Sequence, residues 1–320
     1  MSLRDIGAQV SGHGWTIGTW LRWTLRPGSA PPSSPWSAMI DDPLLGPVRL
    51  TGRIRHEPSQ SLVVVVHGLG GDIEAPYVVA AAQAAHVAGI SCLRLNLRGA
   101  DRSGEDFYHA GLTADLTTAI ASAEVARYKK VFVLGYSLGG HVTLRYGLEA
   151  ADTRLAALAA VSAPLDLDVS ARWFDRPGCE IYRRNVLLGL YDIYASVARR
   201  RPVPLPVGLA RRIRKIREWD HRVVAPRHGF RDAEDYYRSV SVAPRLRELE
   251  TRSLLIFARN DPMVPAEVVS GELASCHART TVKWIERGGH MAFPSKLDLA
   301  YPGALGLEGQ IMSWFEAQMD

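Results

Sequence analysis

The sequence predicts an α/β fold, a mainly parallel sheet with helices on both faces and a helical cap inserted into it. Three observations carry that reading. Short runs of β-branched and aliphatic residues alternate with helical stretches along most of the chain. One such run, Val131-Phe132-Val133-Leu134, passes through Gly135-Tyr136-Ser137-Leu138-Gly139-Gly140 into a helical stretch. Finally, the strand rhythm lapses over residues 165–245 and then resumes. A helical insertion at that point lies over the carboxyl ends of the strands, where open α/β sheets place their ligands.

A chain of 320 residues suits one large domain carrying an insertion. We divide it into an N-terminal approach segment (1–47), a core (48–164 and 246–320) and a cap (165–245). The approach segment begins with Arg4 and Asp5 and lacks the apolar stretch and cleavage site of a secretory signal. Trp15, Ile17, Trp20, Leu21 and Trp23 form an aromatic patch, read either as packing on the domain surface or as peripheral contact with lipid. Residues 27–47 are rich in Pro, Gly and Ser and read as an irregular surface segment.

Strands are predicted over 48–55 and 62–67, then a helix over 76–89 with Pro76 in its first turn and Gly89 at its end. A strand over 90–96 follows, and a helix over 113–127 with Thr113 as N-cap. The Val131 strand, the helix from His141 to Ala150 and a strand near 155–162 lead into the cap. In the cap, Ile181, Leu187, Leu190, Tyr194 and Val197 belong to one helix apolar over much of its circumference. Leu209, Ile213 and Ile216 recur at helical spacing among Arg211, Arg212, Arg214, Lys215 and Arg217, which predicts a basic amphipathic helix. Strands over 253–258 and 281–285 and a helix near 305–319 complete the pattern.

Composition narrows the function. Hydrophobic residues make up 47% and charged residues 22%, an ordinary globular balance. No apolar run approaches the length of a membrane span. The three cysteines are odd in number and widely spaced, so neither a disulfide framework nor a zinc site is indicated, and a cytoplasmic setting is expected. The net charge is +5, and 165–245 holds 17 Arg and Lys against 10 Asp and Glu. No nucleic-acid-binding module accompanies that base, and no nucleic acid is expected as partner. No metal-binding cluster stands out, and no cofactor is expected. Composition leaves the oligomeric state open.

The chemistry centres on Ser137. A Gly-x-Ser-x-Gly between strand and helix forces a tight turn that lifts the serine hydroxyl above the sheet. A serine hydroxyl attacks only when a base takes its proton, and that base must be oriented by an acid. Asp261 follows the 253–258 strand in a proline-stiffened loop, and His290 follows the next strand after Gly288-Gly289. Serine, acid and histidine thus occur in that order, each just past its own strand. His67-Gly68-Leu69-Gly70-Gly71 also follows a buried strand. There the backbone N–H of Leu69, with that of Leu138, would hold a developing oxyanion. Gly68 and Tyr136 are read as substrate-binding, with further, unnamed cap residues. His67 is read as a brace for its loop. Asp166 and Asp168 are alternatives for the acid. His141, His277 and Ser103 are weighed and set aside.

These motifs together resemble the α/β-hydrolase superfamily over residues 48–320. Asn96-Leu97-Arg98-Gly99, Tyr108-His109-Ala110-Gly111, Trp219-Asp220 and Asp235-Tyr236-Tyr237 look like its YheT-like esterase and lipase branch. The resemblance implies an eight-stranded, mainly parallel sheet and a serine hydrolase acting on an acyl chain. The expected activity is cleavage of carboxylic esters of short to medium acyl chains through an acyl-enzyme on Ser137. Transfer of the acyl group to an alcohol, a lipase or phospholipase acting on membrane lipids, and a non-catalytic scaffold are the alternatives. The expected partner is a small-molecule ester or lipid substrate.

Overall fold

The computed structural model describes residues 3–25 and 28–319, with side chains from residue 11 onward. The chain begins with helix α1 (Leu3–Leu25), then strands β1 (Ser34–Asp42), β2 (Gly46–Arg55) and β3 (Ser61–Val66). Helix α2 (Pro76–Val87) leads to β4 (Ser91–Asn96), and α3 (Ala114–Ala121) and α4 (Ala123–Ala126) lead to β5 (Lys130–Tyr136). Helix α5 (Leu138–Glu149) precedes β6 (Leu155–Val161). Between β6 and β7 the chain is helical: α6 (Leu167–Phe174), α7 (Glu180–Ala198), α8 (Val207–Ala210) and α9 (Ile216–Trp219). A π-helical turn (Asp220–Val224), α10 (Ala225–Arg227), α11 (Ala233–Val240) and a 3₁₀ turn (Ala243–Glu248) follow. Then come β7 (Ser253–Ala258), α12 (Ala266–Leu273), β8 (Thr280–Ile285) and α13 (Leu307–Glu316).

Among the described residues the strands form one eight-stranded sheet in the order β1-β2-β4-β3-β5-β6-β7-β8. The first two strands pair antiparallel, as do β2 and β4, and every other neighbour is parallel. The strands β3, β4 and β7 are buried along their whole length; β3 and β7 are near-continuous apolar runs, whereas β4 also buries Ser91, Arg94 and Asn96. Two apolar cores result, one on each face. Leu62, Val64 and Val66 of β3 contribute to one, and Val63 and Val65 to the other.

Four details depart from the sequence reading. Residues 34–42 are an edge strand within the stretch read as irregular. Only Trp36 is buried along it, so the apolar signal is thin, and Pro35 is tolerated because an edge strand leaves some N–H groups unpaired. The aromatic patch lies on a helix, α1, where Trp20 and Leu21 are exposed and Trp15 and Trp23 half-buried; the side chains of Arg4 and Asp5 lie outside the described residues. The helix read over 113–127 breaks at Ser122, whose extended backbone separates α3 from α4. The basic helix read through Leu209, Ile213 and Ile216 is two short helices with exposed Arg211, Arg212, Arg214 and Lys215 between them. There the Asp175 carboxylate accepts from the N–H groups of Ile216 and Arg217, at 2.8 and 3.1 Å, and so starts a new helix.

A buried ion cluster ties the first half of the sheet to the helical insertion. Arg98, 1% exposed, donates to both oxygens of Asp115, through its backbone and its guanidinium, and to Asp42 at 2.6 Å. Asp106 in turn accepts from Arg227 of α10 at 3.0 Å. Burial disfavours the Arg98 charge, but Asp115 above all, then Asp42 and Asp106, more than offset this and raise its pKa.

Candidate active site

The segments that follow four parallel strands, β3, β5, β7 and β8, deliver the site. Ser137 follows β5 with φ +52°, ψ −121°, a conformation an L-residue adopts only under local constraint. Glycine at 139 makes the turn feasible, since a Cβ there would run into the carbonyl oxygens of Val66 and His67. Asp261 follows β7 and is 1% exposed; His290 follows β8 and is 5% exposed.

These three side chains meet. His290 Nε2 lies 3.0 Å from Ser137 Oγ, and His290 Nδ1 lies 2.9 and 3.1 Å from the two Asp261 oxygens. Asp261 Oδ1 also accepts from the N–H groups of Met263 and Val264, at 2.8 and 2.9 Å. Burial opposes ionisation of Asp261, but His290, as a charge and as a donor, and those amides outweigh it and hold the carboxyl below its ordinary range. The loop is braced from the insertion: the Pro262 carbonyl accepts from Trp173 Nε1 at 3.1 Å. With the Asp261 carboxylate as acceptor, the hydrogen bond places the ring proton on His290 Nδ1 and turns Nε2 toward the serine hydroxyl as an acceptor.

The loop after β3 presents a free donor. In the run 68–71, Gly68 N–H donates to Tyr77 Oη, Gly70 N–H to Tyr108 Oη and Gly71 N–H to the Gly68 carbonyl. The Leu69 N–H has no partner among the described residues. The same holds for the Leu138 N–H in the first turn of α5, where the helix dipole is positive. Gly68 packs directly against the serine: a Cβ there would sit 3.2 Å from Ser137 Cβ. His67 is fully buried, donates through Nδ1 to the Gly68 carbonyl at 2.8 Å and accepts the Leu97 N–H at Nε2. Burial pushes its pKa down to about 4, as befits a neutral brace.

Helix α1 reaches the site from the other end of the sequence, which the sequence reading missed. Its Thr16 Oγ1 accepts the His290 backbone N–H at 2.9 Å and donates to the Gly12 carbonyl at 2.9 Å. Gly12 permits the approach, because a Cβ there would strike the Asn260 carbonyl oxygen. His13 Nδ1 meets the Tyr182 hydroxyl of α7 at 2.7 Å.

Above the serine lies a cavity of about 1330 Å³, walled by α1, α7, the 68–71 loop and the start of α13. Ser137, His290, Gly68, Leu69 and Leu138 line it. At its mouth, Ile17 and Trp20 of α1 and Ile181 and Leu188 of α7 are exposed. Tyr136 does not line it, contrary to the sequence reading. Strand alternation turns its side chain into the opposite face, where it is fully buried and its hydroxyl donates to Glu308 at 3.2 Å. The alternative acids lie elsewhere: Asp166 caps α6 by accepting the Val169 N–H, and Asp168 pairs with Arg172 and Arg217. Buried His141 is held between the carbonyls of Pro164 and Val240, His277 is half-buried near the surface, and Ser103 lies outside the cavity.

Comparison with known proteins finds relatives of the chain and of its fold. The sequence profile of the alpha/beta hydrolase family matches residues 63–298. The Escherichia coli (strain K12) protein named "Putative esterase YheT" is 30% identical over 83% of this chain and 78% of its own length. The Monoacylglycerol lipase of Saccharomyces cerevisiae is 24% identical over 75% of this chain, which spans only 56% of that protein. Among solved structures, the Pyrococcus furiosus esterase Pf2001 superposes with a TM-score of 0.55 at 16% identity, covering 81% of this chain and 84% of that one.

Proposed function

This chain belongs to the alpha/beta hydrolase family, and from that premise we propose that it is a serine esterase cleaving carboxylic esters of short to medium acyl chains. The observation that carries the proposal is the hydrogen-bonded line from Asp261 through His290 to Ser137 Oγ at the wall of a large cavity. His290 Nε2 takes the serine proton as Oγ bonds to the ester carbonyl carbon. The carbonyl oxygen becomes an oxyanion held by the Leu69 and Leu138 amides. His290 returns the proton to the leaving alcohol oxygen as the ester C–O bond breaks, leaving an acyl group on Ser137. Water, deprotonated by the same imidazole, attacks the acyl carbon, and the acid leaves as the acyl C–Oγ bond breaks and the imidazolium returns the proton to Ser137 Oγ. Asp261 keeps the imidazole in the required tautomer throughout.

The cavity exceeds the usual volume of a small-molecule site, which supports a substrate with an acyl chain rather than an acetate alone. The test is a fluorophosphonate probe combined with p-nitrophenyl esters of graded chain length. The wild type is expected to be labelled and to turn over best at short to medium lengths, and Ser137→Ala to lose both labelling and turnover. Labelling that persists in Ser137→Ala would refute the nucleophile assignment.

A further inference from the structure

The cavity wall beyond the 68–71 loop carries two polar groups that the esterase mechanism does not use. His109 is 7% exposed and lines the cavity. Its Nδ1 accepts the Gly111 N–H at 3.0 Å, so the neutral ring bears its proton on Nε2. That Nε2–H has no partner among the described residues. The surroundings keep the ring neutral, since burial first, and then His228, Arg98 and Arg145, lower its pKa well below the ordinary value.

Asp220 is the second group. It lies at the start of the π-helical turn, a departure from α-geometry that recurs at functional sites. Protein surrounds it densely, yet it lines the cavity and stays accessible from the lumen. Its Oδ2 accepts from the Tyr237 hydroxyl at 2.7 Å, and its Oδ1 has no partner among the described residues. Tyr236 connects the two groups: its ring lies 5.5 Å from that of His109 and 5.3 Å from that of Tyr237. Tyr108, next in sequence to His109, anchors the loop that bears the Leu69 amide. The polar wall therefore adjoins the site of bond cleavage.

A donor and an acceptor left without a protein partner at the cavity wall favour a ligand that meets them. A hydroxyl meets both needs, accepting from N–H and donating to a carboxyl oxygen. An anionic head group at this spot would face the Asp220 carboxyl, and the guanidiniums beside the two groups are engaged elsewhere, Arg217 with Asp168 and Glu234 and Arg98 with Asp115 and Asp42.

We propose that His109 and Asp220 form a polar subsite that selects substrates bearing a neutral hydroxyl group over plain hydrocarbon esters. This rests on the esterase reading, and the experiment separates the two. The ratios of kcat/KM among glyceryl monodecanoate, methyl ω-hydroxydecanoate and methyl decanoate are measured per fluorophosphonate-reactive site. The two hydroxylated esters distinguish a hydroxyl on the alcohol side from one on the acyl side. At least one of them is expected to exceed methyl decanoate by about tenfold or more in the wild type. Asp220→Asn and His109→Phe are expected to collapse that ratio, and His109→Gln, which keeps a donor, to retain part of it. A flat ratio in the wild type, or variants that slow all three esters in proportion, would overturn the subsite. Absence of labelling in the wild type would instead overturn the esterase reading beneath it.

Discussion

At the residue scale, Ser137 is kept at positive φ by its neighbours rather than by its own preference. The strain is retained because the turn points Oγ at His290 Nε2. Asp261 is the residue whose removal should be most informative, because its carboxyl fixes the proton on His290 Nδ1. We expect Asp261→Asn to lower kcat by about ten-thousand-fold through the wrong tautomer, with little change in KM, measured on a soluble p-nitrophenyl ester. The candidate trio was legible in the sequence because each member carries a local mark: Gly-x-Ser-x-Gly for Ser137, prolines after Asp261, Gly-Gly before His290. Tyr136 was misread because its nearness to Ser137 in sequence says nothing about which sheet face it occupies. The unpaired Nε2 of His109 had no local mark beyond its place in a family motif, since its significance lies in what fails to reach it.

At the element scale, α1 contributes more than covering. Through Thr16 it holds the backbone N–H of the residue read as the catalytic base. Thr16→Val removes that acceptor while keeping the side-chain shape, and we expect kcat to fall about tenfold, with Thr16→Ser restoring it. Equal rates for Thr16→Val and wild type would reduce the helix to packing. Nothing in the sequence announced this contact, which joins positions 274 residues apart. The alternation of strands and helices, by contrast, was readable because β3, β4, β5 and β7 are buried on both faces. Elements whose boundaries depend on distant side chains were not. The start of α9 is set by the Asp175 carboxylate, which periodicity cannot reveal.

At the scale of the whole molecule, buried titratable groups set how stability responds to acid. Burial first lowers the pKa of His67 to about 4 and of His228 to about 3, and lowers that of His109 well below its ordinary value. The unfolded chain binds protons at these imidazoles below about pH 6.5 while the folded one does not, so each contributes stability that is lost as pH falls from there. Asp220 has the opposite sign. Burial raises its pKa to about 7, so folding favours its protonated form, and its contribution declines as pH rises from 3.8 toward 7. Urea denaturation at a series of pH values should therefore show stability falling from pH 6.5 toward 4. Asp220→Asn should steepen that fall, and an unchanged slope would contradict the assignment. Chain topology has one more consequence, which concerns biosynthesis. The seat of α1 is built by Asn260, Gly289 and His290, which leave the ribosome long after Gly12 and Thr16 have emerged. The residues translated earliest therefore wait for partners translated late, and the line from Asp261 through His290 to Ser137 cannot close before residue 290 has left the ribosome.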